Sequence, residues 1–453
     1  MDNSMDVSGK IVLILGLGGY EKGSGVSAAL FCLEQGAKKV IVTDAKEAGE
    51  LTKTLRQLKG KRRVELVLGK HRLSDVRRAQ LVVKNPGVPE NIPAVRLAKK
   101  MKKTITNDIG LFLAHKPPGE VIAVTGTRGK STTTSLIYEM LRQQYGNVFL
   151  GGNIGESPLQ FVDKMQEGDM TVLELSSWLL HDLKKPHFDA AVVTNILPDH
   201  LDRYSSMDAY QRDKERIWKW QRADGLTILN NENARTRKMA KQVRSQVLMY
   251  GKGAGADGAI VRSGSFVVEG EQVAKVSDLK LLGEHNISNA LAAVSVAYSF
   301  GVTNARIRSV LRTFTGVANR LEHVRTVGGV AYYNDTTATT PDAAVAALNS
   351  FDKKVILIAG GNTKGLSLAQ FAKLISKKVK LLVLLEGNAN APLRRMLPKS
   401  RVHEVDNMKE AVQTAAGAAK KGDVVVLSPG CSWLPKMNEF ERGARFVREV
   451  RKR

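Results

Sequence analysis

The stretch "VIAVTGTRGKSTTTSLIYEM" at residues 121–140 decides the fold of the central part of this chain. Its apolar start predicts a buried strand, and the run from Thr132 onward predicts a helix. A glycine-rich turn between them aims backbone N–H groups and the positive end of the helix at one point, where a polyphosphate fits. Lys130 is placed to reach the outer phosphates, and the Ser131 hydroxyl to ligate Mg²⁺. The stretch therefore predicts a nucleotide site, although Val124 stands where the usual GxxxxGK[ST] pattern has glycine.

Strand-like and helix-like patterns alternate along the rest of the chain, which predicts the α/β class with mostly parallel sheets. Upstream, "KIVLILG", "VSAALFCLEQG" and "VIVTD" predict a Rossmann-like βαβ unit. The central segment ends in the hairpin-like "AIVRSGSFVVEGEQVAKV", and "KKVILIAGG", "VKLLVLLEG" and "GDVVVLSPG" predict a second Rossmann-like domain. We expect three domains, at residues 1–109, 110–316 (the P-loop ATPase domain) and 317–453.

Acidic and imidazole side chains follow two further strands of the central segment. Glu174 ends the strand "MTVLE", and Asp199, His200 and Asp202 follow "AAVVTNI". Ligands bind at the carboxyl ends of strands in open α/β sheets, so these groups are expected on the same edge as the phosphate loop. Mg²⁺ takes one or two protein oxygens and keeps several waters. The pattern predicts a metal site beside the phosphates.

Composition narrows the class of protein. The chain has 453 residues, is 43% hydrophobic and 25% charged, and contains only Cys32 and Cys431, which is typical of a multidomain globular protein without a disulfide framework. No apolar window reaches a membrane span, and the start lacks a signal-peptide pattern, so we expect a cytoplasmic protein. The net charge of +25 comes from scattered Lys and Arg without interleaved aromatics, which favours solvated faces and small anionic substrates over nucleic acid.

Taken in order, the motifs resemble those of the Mur ligase family. They are "TGTRGKST", "GGNIG", "ELSSW", "TNILPDHLDRY", "YQRDKERI", "GEHNISNALAA", "ANRLEHV", "NDTTAT" and "GGNTKG". The resemblance covers nearly the whole chain and is greatest to the members that add D-glutamate to UDP-N-acetylmuramoyl-L-alanine. It implies an ATP-dependent acid–amino-acid ligase of peptidoglycan precursor synthesis, which phosphorylates the acceptor carboxylate and joins the acyl phosphate to the incoming amine. We expect a monomer.

The resemblance also implies a catalytic and nucleotide site. The residues at catalytic positions are Lys130, Glu174, His200 and Lys214. Those matched to ATP are Gly126, Thr127, Arg128, Gly129, Lys130, Ser131, Thr132, Asn286, Asn289, Arg320 and Asp335. Those matched to two Mg²⁺ ions are Ser131, Glu174, His200 and Lys214. Lys214 matches the lysine that becomes carbamylated in this family.

Substrate positions follow from the same resemblance. The residues assigned to the UDP-linked acceptor are Gly18, Gly25, Asp44, Gly87, Asn153 and Ser176. Those matched to the amino acid are Thr339, Lys364, Ser432 and Phe440. Within the extended loop of residues 19–25, we expect Lys22 to form a flap over the diphosphate.

Three differences from the family's motifs leave the identity of the added amino acid undecided. Thr337 replaces the lysine of the family's "DSKAT", Leu179 stands where many relatives have glutamine, and Ser432 matches only after a one-residue shift. The same reaction with L-glutamate or another acidic amino acid is therefore an alternative.

Two other classes of protein share parts of this pattern. "GLGGYEKGSG" imitates a dinucleotide fingerprint and would indicate an NAD-dependent dehydrogenase, but the glycine spacing stretches the tight G-x-G-x-x-G turn. A nucleic-acid-stimulated P-loop NTPase would explain the basic charge, and it predicts steeply salt-dependent binding to DNA or RNA.

Overall fold

The computed structural model of this protein describes residues 5–115, 117–199, 203–363, 366–396, 398–432 and 439–453. The chain divides into two compact units, and each is described by itself. The first contains residues 1–276 and 289–310 and holds two sheets, and the second contains residues 277–288 and 311–453 and holds a third. Mostly parallel strands with intervening helices confirm the predicted α/β class.

The first sheet has the parallel order β3-β2-β1-β4-β5. Its strands are β1 Ile11–Leu15, β2 Lys39–Thr43, β3 Val64–Val67, β4 Leu81–Lys84 and β5 Thr104–Thr106. The helices along this segment are α1 Ser24–Glu34, α2 Thr52–Leu58, α3 Leu73–Arg78, α4 Pro93–Lys100 and α5 Asp108–Ala114. The predicted βαβ unit is β1-α1-β2, in which α1 buries Cys32 in the core, as the pattern indicated. The order of the strands reverses at β1, between β2 and β4, so the carboxyl ends of β1 and β4 form the place where such sheets bind ligands.

The second sheet has the order β14-β13-β12-β11-β10-β9-β6-β8-β7. Its strands are β6 Glu120–Thr125, β7 Val148–Gly152, β8 Met170–Glu174, β9 Ala190–Val193, β10 Leu226–Asn230, β11 Gln246–Tyr250, β12 Ala259–Arg262, β13 Ser265–Val268 and β14 Glu271–Lys275. Its helices are α6 Lys130–Leu141, α7 Ser177–His181, α8 Met207–Glu215 and α9 Ala234–Met239, followed by α10 Glu284–Ser299 and α11 Asn304–Thr313. Strands β12 to β14 pair antiparallel, which confirms the predicted hairpins. Strand β6 lies between β8 and β9, so the carboxyl ends of three strands meet around the phosphate loop.

The third sheet has the order β15-β16-β20-β17-β18-β19, in which β15 runs antiparallel to β16 and the other described pairs are parallel. Its strands are β15 Glu322–Val327, β16 Val330–Asn334, β17 Val355–Gly360, β18 Val379–Leu385, β19 Val402–Val405 and β20 Val424–Leu427. Its helices are α12 Pro341–Asn349, α13 Ala369–Lys378, α14 Asn390–Met396, α15 Met408–Ala418 and α16 Glu439–Arg451. Every residue of β17 and β20 is buried, as expected for central parallel strands covered on both faces.

The predicted boundary near residue 110 falls inside helix α5, and the boundary near residue 317 falls in the segment before β15. Both stay predictions. Within the described ranges, the helices are all too short or too polar to cross a lipid bilayer.

Candidate active site

The phosphate loop, residues 126–129, joins buried strand β6 to helix α6, as predicted. Two of its positions need glycine. At Gly126, where φ is +148°, a Cβ would lie 1.9 Å from Thr194 Oγ1, and at Gly129, where φ is +82°, a Cβ would lie 2.1 Å from Asn289 Oδ1. Both angles are in the region that disfavours other residues. The loop can therefore pack this closely against its neighbours only with glycine at both places.

Side chains from α8 and the segment after β9 hold this loop in place. Thr194 Oγ1 donates to Arg128 O at 2.6 Å, and Arg128 N donates to Asn195 Oδ1 at 2.9 Å. Thr127 Oγ1 lies 3.1 Å from the hydroxyl of Tyr210. The loop is thus fixed before any nucleotide binds, which reduces the entropy cost of binding.

Lys130 begins helix α6 and folds back over the loop. Its Nζ donates to Gly126 O at 3.1 Å and Thr127 O at 3.0 Å. Gly129 occupies the N-cap position of α6, so the described part of the chain provides no side-chain cap there. The backbone N–H groups of this first helical turn and the helix dipole can consequently act on an anion.

Two oxygen atoms beside the loop fit a hard metal ion. Ser131 Oγ and Glu174 Oε2 are buried, and neither forms a hydrogen bond with the described residues. Glu174 is 0% exposed and ends β8, where it pairs in register with Val124 of β6. A buried carboxylate oxygen without a donor is costly unless a cation balances it. Ser131 and Glu174 therefore suit Mg²⁺, which prefers oxygen ligands.

Lys214 reaches the same loop from helix α8. It is 1% exposed, and its Nζ donates to Gly126 O at 2.8 Å and Thr125 Oγ1 at 3.3 Å. Burial, reinforced by the nearby Lys130 ammonium, holds the pKa of Lys214 well below its usual range. The lowered pKa favours the neutral amine, which is the form that acts as a nucleophile.

Asn153 and Ser176 follow strands on the same side of the second sheet. Asn153 Nδ2 donates to Glu174 Oε1 at 2.9 Å and so orients the candidate metal ligand. Ser176 Oγ accepts a hydrogen bond from Leu179 N and caps helix α7. Leu179, which stands where many relatives have glutamine, is 3% exposed, so its side chain packs in the core.

At the first sheet, Asp44 has a structural task that the sequence did not indicate. Its Oδ2 accepts hydrogen bonds from Leu17 N at 2.8 Å and Gly18 N at 3.1 Å, so the carboxylate closes the loop that follows β1. Gly25 lies in the first turn of α1, so close to this loop that a Cβ would lie 2.3 Å from Gly16 O. Asp44 therefore shapes the loop assigned to the UDP-linked substrate.

The loop after β4 lies beside the loop after β1. A Cβ on Gly16 would lie 2.7 Å from Val88 Cγ2, and Gly87 N donates to Asn85 Oδ1 at 3.0 Å. The structure thus brings Gly18, Gly25 and Asp44 close to the loop that contains Gly87, at the reversal point of the first sheet.

Lys22 forms an ion pair rather than projecting alone. Its Nζ lies 2.5 Å from Glu156 Oε2, and its carbonyl accepts a hydrogen bond from Ser157 N at 3.0 Å. This joins the extended loop to the segment after β7 that carries Asn153. The predicted flap over a diphosphate stays a prediction.

Sequence reasoning missed Arg203 and Trp178, which connect the segment after β9, helix α7 and the loop after β4. The Arg203 guanidinium lies 4.1 Å from the centre of the Trp178 ring, and its Nη2 donates to Pro86 O at 3.3 Å and Val88 O at 3.2 Å. Arg203 lies in the motif "TNILPDHLDRY" and Trp178 in "ELSSW". Their position in these motifs was a signal that they belong to the site. The contacts of Arg203 with Trp178 and with the loop after β4 could not be predicted, because these segments are far apart in sequence.

Two expected nucleotide residues belong to the unit with the third sheet: Asp335 directly follows β16, and Arg320 lies just before β15. Asp335 is 7% exposed, and it accepts hydrogen bonds from Ser428 Oγ at 2.8 Å and Leu321 N at 3.1 Å. Burial raises the pKa of Asp335 to about 7, although these hydrogen bonds and the charge of Arg320 oppose the rise. Arg320 itself is exposed.

Asn286 and Asn289 both lie on helix α10. Asn286 Nδ2 donates to Leu282 O at 2.8 Å, and Asn289 O accepts a hydrogen bond from Thr133 Oγ1 at 3.4 Å. The Asn289 side chain packs against Gly129. Asn289 is thus placed at the phosphate loop, and the adenine role of Asn286 stays a prediction.

A buried arginine that the sequence did not single out contacts two of the loops that carry expected amino-acid residues. Arg442 of α16 is 0% exposed. It donates to Thr336 Oγ1 at 3.0 Å, Thr336 O at 2.8 Å and Ser432 O at 2.9 Å. Ser432 Oγ donates in turn to Asn362 O at 2.8 Å. The Arg442 guanidinium therefore connects the loops after β16 and β20, and the Ser432 hydroxyl connects the loop after β20 to the loop after β17.

Thr339 and Phe440 belong to the same unit. Thr339 is half-buried after β16, and Phe440 is 47% exposed near the start of α16. Thr337, which replaces the family's lysine, donates from its Oγ1 to Asn319 O at 2.8 Å. At this position a neutral hydroxyl, hydrogen-bonded to the backbone, replaces the family's lysine ammonium. The site therefore has one positive charge fewer than the family's motif provides.

An Arg442→Met substitution is expected to destabilise the second unit by about 2 to 4 kcal/mol, because it leaves the carbonyls of Thr336 and Ser432 buried without this donor. Thermal unfolding measures the change. The control is Arg445→Met on the same helix, where a half-exposed ion pair with Glu441 is worth less than about 1 kcal/mol. Equal melting temperatures for the two variants would refute this role of Arg442.

Three expected site residues, His200, Asp202 and Lys364, lie outside the described residues. Their roles at the metal and amino-acid sites stay predictions.

The chain matches three family models over most of its length. They are described as "Mur ligase MurD-like, N-terminal domain" at residues 10–107, "Mur ligase middle domain" at residues 124–297 and "Mur ligase, glutamate ligase domain" at residues 319–431.

Curated relatives share much of the sequence. UDP-N-acetylmuramoylalanine--D-glutamate ligase of Roseiflexus sp. (strain RS-1) is 39% identical over 98% of this chain and 99% of its own length. The protein of the same name from Koribacter versatilis (strain Ellin345) is 36% identical over 98% of each chain.

A solved structure, that of UDP-N-acetylmuramate-alanine ligase from Thermotoga maritima, has the same fold. Its TM-score is 0.64 at 21% identity, over 98% of this chain and 99% of that one. With the three matched domains and the identity to curated relatives, the chain belongs to the Mur ligase family.

Proposed function

We propose that this chain is an ATP-dependent ligase that adds D-glutamate to UDP-N-acetylmuramoyl-L-alanine in peptidoglycan precursor synthesis. The observation that carries the proposal is the phosphate loop with Lys130 above it and the buried oxygens of Ser131 and Glu174 beside it. The names of relatives that are 36 to 39% identical over nearly the full length support the choice of acceptor and amino acid.

The reaction requires an activated carboxylate. A carboxylate oxygen of the acceptor attacks the γ-phosphorus of ATP, ADP leaves, and an acyl phosphate forms. The amine of D-glutamate then attacks the acyl carbon, loses a proton, and expels phosphate that carries the former carboxylate oxygen. The fixed loop amides and Lys130 hold the phosphates in line and offset the negative charge that develops on the transferred group.

The oxygen atoms of Ser131 and Glu174 are suited to bind the magnesium that this chemistry uses. We assign Ser131 Oγ and Glu174 Oε2 to one ion, and His200 and Lys214 to a second. When bound, Mg²⁺ neutralises charge on the phosphate oxygens. Asn153 fixes the Glu174 carboxylate in this arrangement through its hydrogen bond to Oε1.

We further propose that Lys214 is carbamylated. Its amine is buried and has a lowered pKa, which favours the neutral form that adds to CO₂. Addition of CO₂ with loss of one proton gives a carbamate on the lysine stem, which replaces a neutral amine beside the phosphate loop with an anion able to ligate metal.

Removal of CO₂ from the buffer is therefore expected to lower the activity of the wild-type chain by about 10-fold, within the range for loss of a metal-site group. Added bicarbonate should restore it. The control is Lys214→Gln, whose low residual activity should not respond to bicarbonate. A wild-type enzyme that keeps full activity without CO₂, confirmed by a mass without the added ~44 Da of CO₂, would refute the modification.

For the acceptor, we assign the UDP moiety to the loops with Gly18, Gly25 and Gly87, which Asp44 supports. The peptidyl part belongs to Asn153 and Ser176. Arg203 connects both regions, because it stacks on Trp178 and binds the loop after β4. For D-glutamate, we assign Thr339, Lys364, Ser432 and Phe440.

The proposed function is tested by phosphate release from ATP with UDP-N-acetylmuramoyl-L-alanine, in parallel with D-glutamate, L-glutamate and no amino acid. We expect release that depends on D-glutamate. Dependence on L-glutamate would support the reaction and overturn the proposed specificity. The first explanation for the changed specificity would be Thr337, which replaces the family's lysine. Release without any acceptor dependence would overturn the function itself.

A further inference from the structure

Six ionisable side chains meet away from the phosphate loop, in a group that we call the charged junction. Its members are Lys84, Glu90, Lys99, His181, Asp182 and Asp213. They come from β4, the loop after it, α4, the end of α7 and α8. None of these six belongs to the groups proposed to bind the nucleotide, the metal or the substrates.

The inner part of the junction is buried. The Lys84 side chain is 1% exposed, and its Nζ lies 2.5 Å from Glu90 Oε1 and 3.0 Å from Asp182 Oδ2. Lys99 Nζ lies 2.7 Å from Glu90 Oε2. Lys84 is the last residue of β4 and directly precedes Asn85, so the junction fixes the loop that we assign to the UDP-linked substrate.

His181 joins the two sides of the junction. Its Nδ1 lies 2.9 Å from Asp213 Oδ2, and its Nε2 lies 3.6 Å from Glu90 Oε2. Both ring nitrogens thus face carboxylates, and only the imidazolium can donate to both. Glu90 follows the substrate loop, whereas Asp213 directly precedes Lys214 on α8.

Charge balance favours the same protonation state. Without His181, two lysine cations face three carboxylates, and a protonated His181 brings the group to neutrality. The hydrogen bond to Asp213 and the nearby Glu90 carboxylate raise the pKa of His181 to about 9, against the effect of burial. The phenol of Tyr204 also faces Asp213.

The junction is not suited to a metal ion. Ligand atoms of Glu90, His181 and Asp182 do lie within 4.8 Å of one another. However, the Lys84 ammonium already pairs with two of them, and a divalent ion would have to displace it into a buried position without partners.

We propose that His181 is a positioning residue for the ligase reaction. By binding Glu90 and Asp213 together, it holds the substrate loop in register with helix α8, and therefore sets the acceptor relative to Lys214. This inference rests on the proposed function, because it concerns the same acceptor and the same reacting centre.

His181→Gln is expected to raise the KM for UDP-N-acetylmuramoyl-L-alanine and to lower kcat, each by roughly 10-fold, the lower end of the effect of removing a group that orients a site. The KM for D-glutamate should not change. His181→Arg, which keeps the charge and can donate to both carboxylates, should recover most of the loss.

The pH profile separates this role from a purely structural one. The folded pKa of about 9 exceeds the usual 6.5, so the contribution of the imidazolium is complete below pH 6.5 and is lost as the pH rises through about 9. Wild-type kcat/KM for the acceptor should fall near pH 9. That alkaline fall should shift to higher pH in His181→Arg.

The matched control is His115→Gln, another histidine of the first unit whose Nε2 lies 3.5 Å from an aspartate, Asp163. Its kinetics should equal those of the wild type. Hydrogen exchange gives a readout that needs no turnover: His181→Gln should speed exchange in both residues 85–92 and residues 207–215, and the control should not.

The outcomes distinguish this inference from the proposed function. A wild-type chain without D-glutamate-dependent turnover would overturn the proposed function, and exchange in residues 85–92 and 207–215 would still decide whether His181 couples them. An active wild type with unchanged kinetics in His181→Gln would overturn only the role of His181. That role would also be overturned if His181→Gln lost stability but kept the acceptor KM and the alkaline fall.

Discussion

Lys130→Ala should reduce the turnover of ATP by about 10³-fold, the upper range for removal of one preorganised charge-stabilising donor. Lys130 begins α6, and its Nζ already lies over the loop, bound to the carbonyls of Gly126 and Thr127. When phosphates bind, the same ammonium can turn to them without moving the helix. Alanine removes the only part of this side chain that interacts with charge.

Phosphate release measured at saturating substrates tests this prediction. The matched control is Lys241→Ala, which removes an exposed lysine from the same unit and should leave kcat unchanged. Thermal unfolding distinguishes a lost contact with phosphate from a loosened loop. If Lys130→Ala retained more than about a tenth of wild-type turnover, the proposed role of the phosphate loop in the reaction would be refuted. Loss of a charge-stabilising donor should lower turnover by far more than about 10-fold.

Glu174→Gln is expected to have the second-largest effect. The change keeps the shape of the side chain and replaces a buried carboxylate, whose Oε2 has no hydrogen-bond partner among the described residues, with a neutral amide. A neutral oxygen is a much weaker ligand for Mg²⁺. We expect kcat to fall by about 10²-fold and the Mg²⁺ concentration for half-maximal activity to rise by at least about 10-fold.

A Mg²⁺ titration of activity checks the second prediction, with thermal unfolding measured in parallel. Glutamine removes a buried charge that has one oxygen without a hydrogen-bond partner among the described residues, so the variant without metal should be as stable as the wild type or more so. The control is Glu232→Gln, an exposed carboxylate of the same unit. An unchanged Mg²⁺ dependence in Glu174→Gln would show that the carboxylate does not face the metal.

The phosphate loop was predictable because all of its parts are adjacent in sequence. Strand, glycines, lysine and helix start lie within residues 121–140, and backbone geometry fixes how such neighbours are placed. Glu174 was predictable for a related reason, since the ends of parallel strands share one edge of the sheet. In both cases, local pattern and one rule of sheet topology were enough.

Interactions between distant segments could not be predicted in the same way. The expected role of Asp44 at the substrate stays a prediction. Its carboxylate accepts hydrogen bonds from the backbone of Leu17 and Gly18, because the crossover brings the end of β2 against the loop after β1. No spacing in the sequence shows that choice of partner. Arg442 is similar, since it is one of several arginines in α16 and only its burial distinguishes it.

The charged junction shows the same limit for packing between elements. Glu90 and His181 are ordinary polar residues in a loop and at a helix end, and composition favours solvated positions for both. They meet because α7 and the loop after β4 are packed within one unit. Sequence patterns predict the elements, whereas their mutual packing determines which charges pair.

The most direct measurement of the central claim uses UDP-N-acetylmuramoyl-L-alanine with ¹⁸O in its terminal carboxylate, together with ATP, Mg²⁺ and D-glutamate. Mass spectrometry of the products should show one added glutamyl unit and one ¹⁸O in each released phosphate, because the acyl phosphate passes its bridging oxygen to phosphorus. Phosphate released without ¹⁸O, or release without the glutamyl product, would contradict a ligase that activates its acceptor in this way.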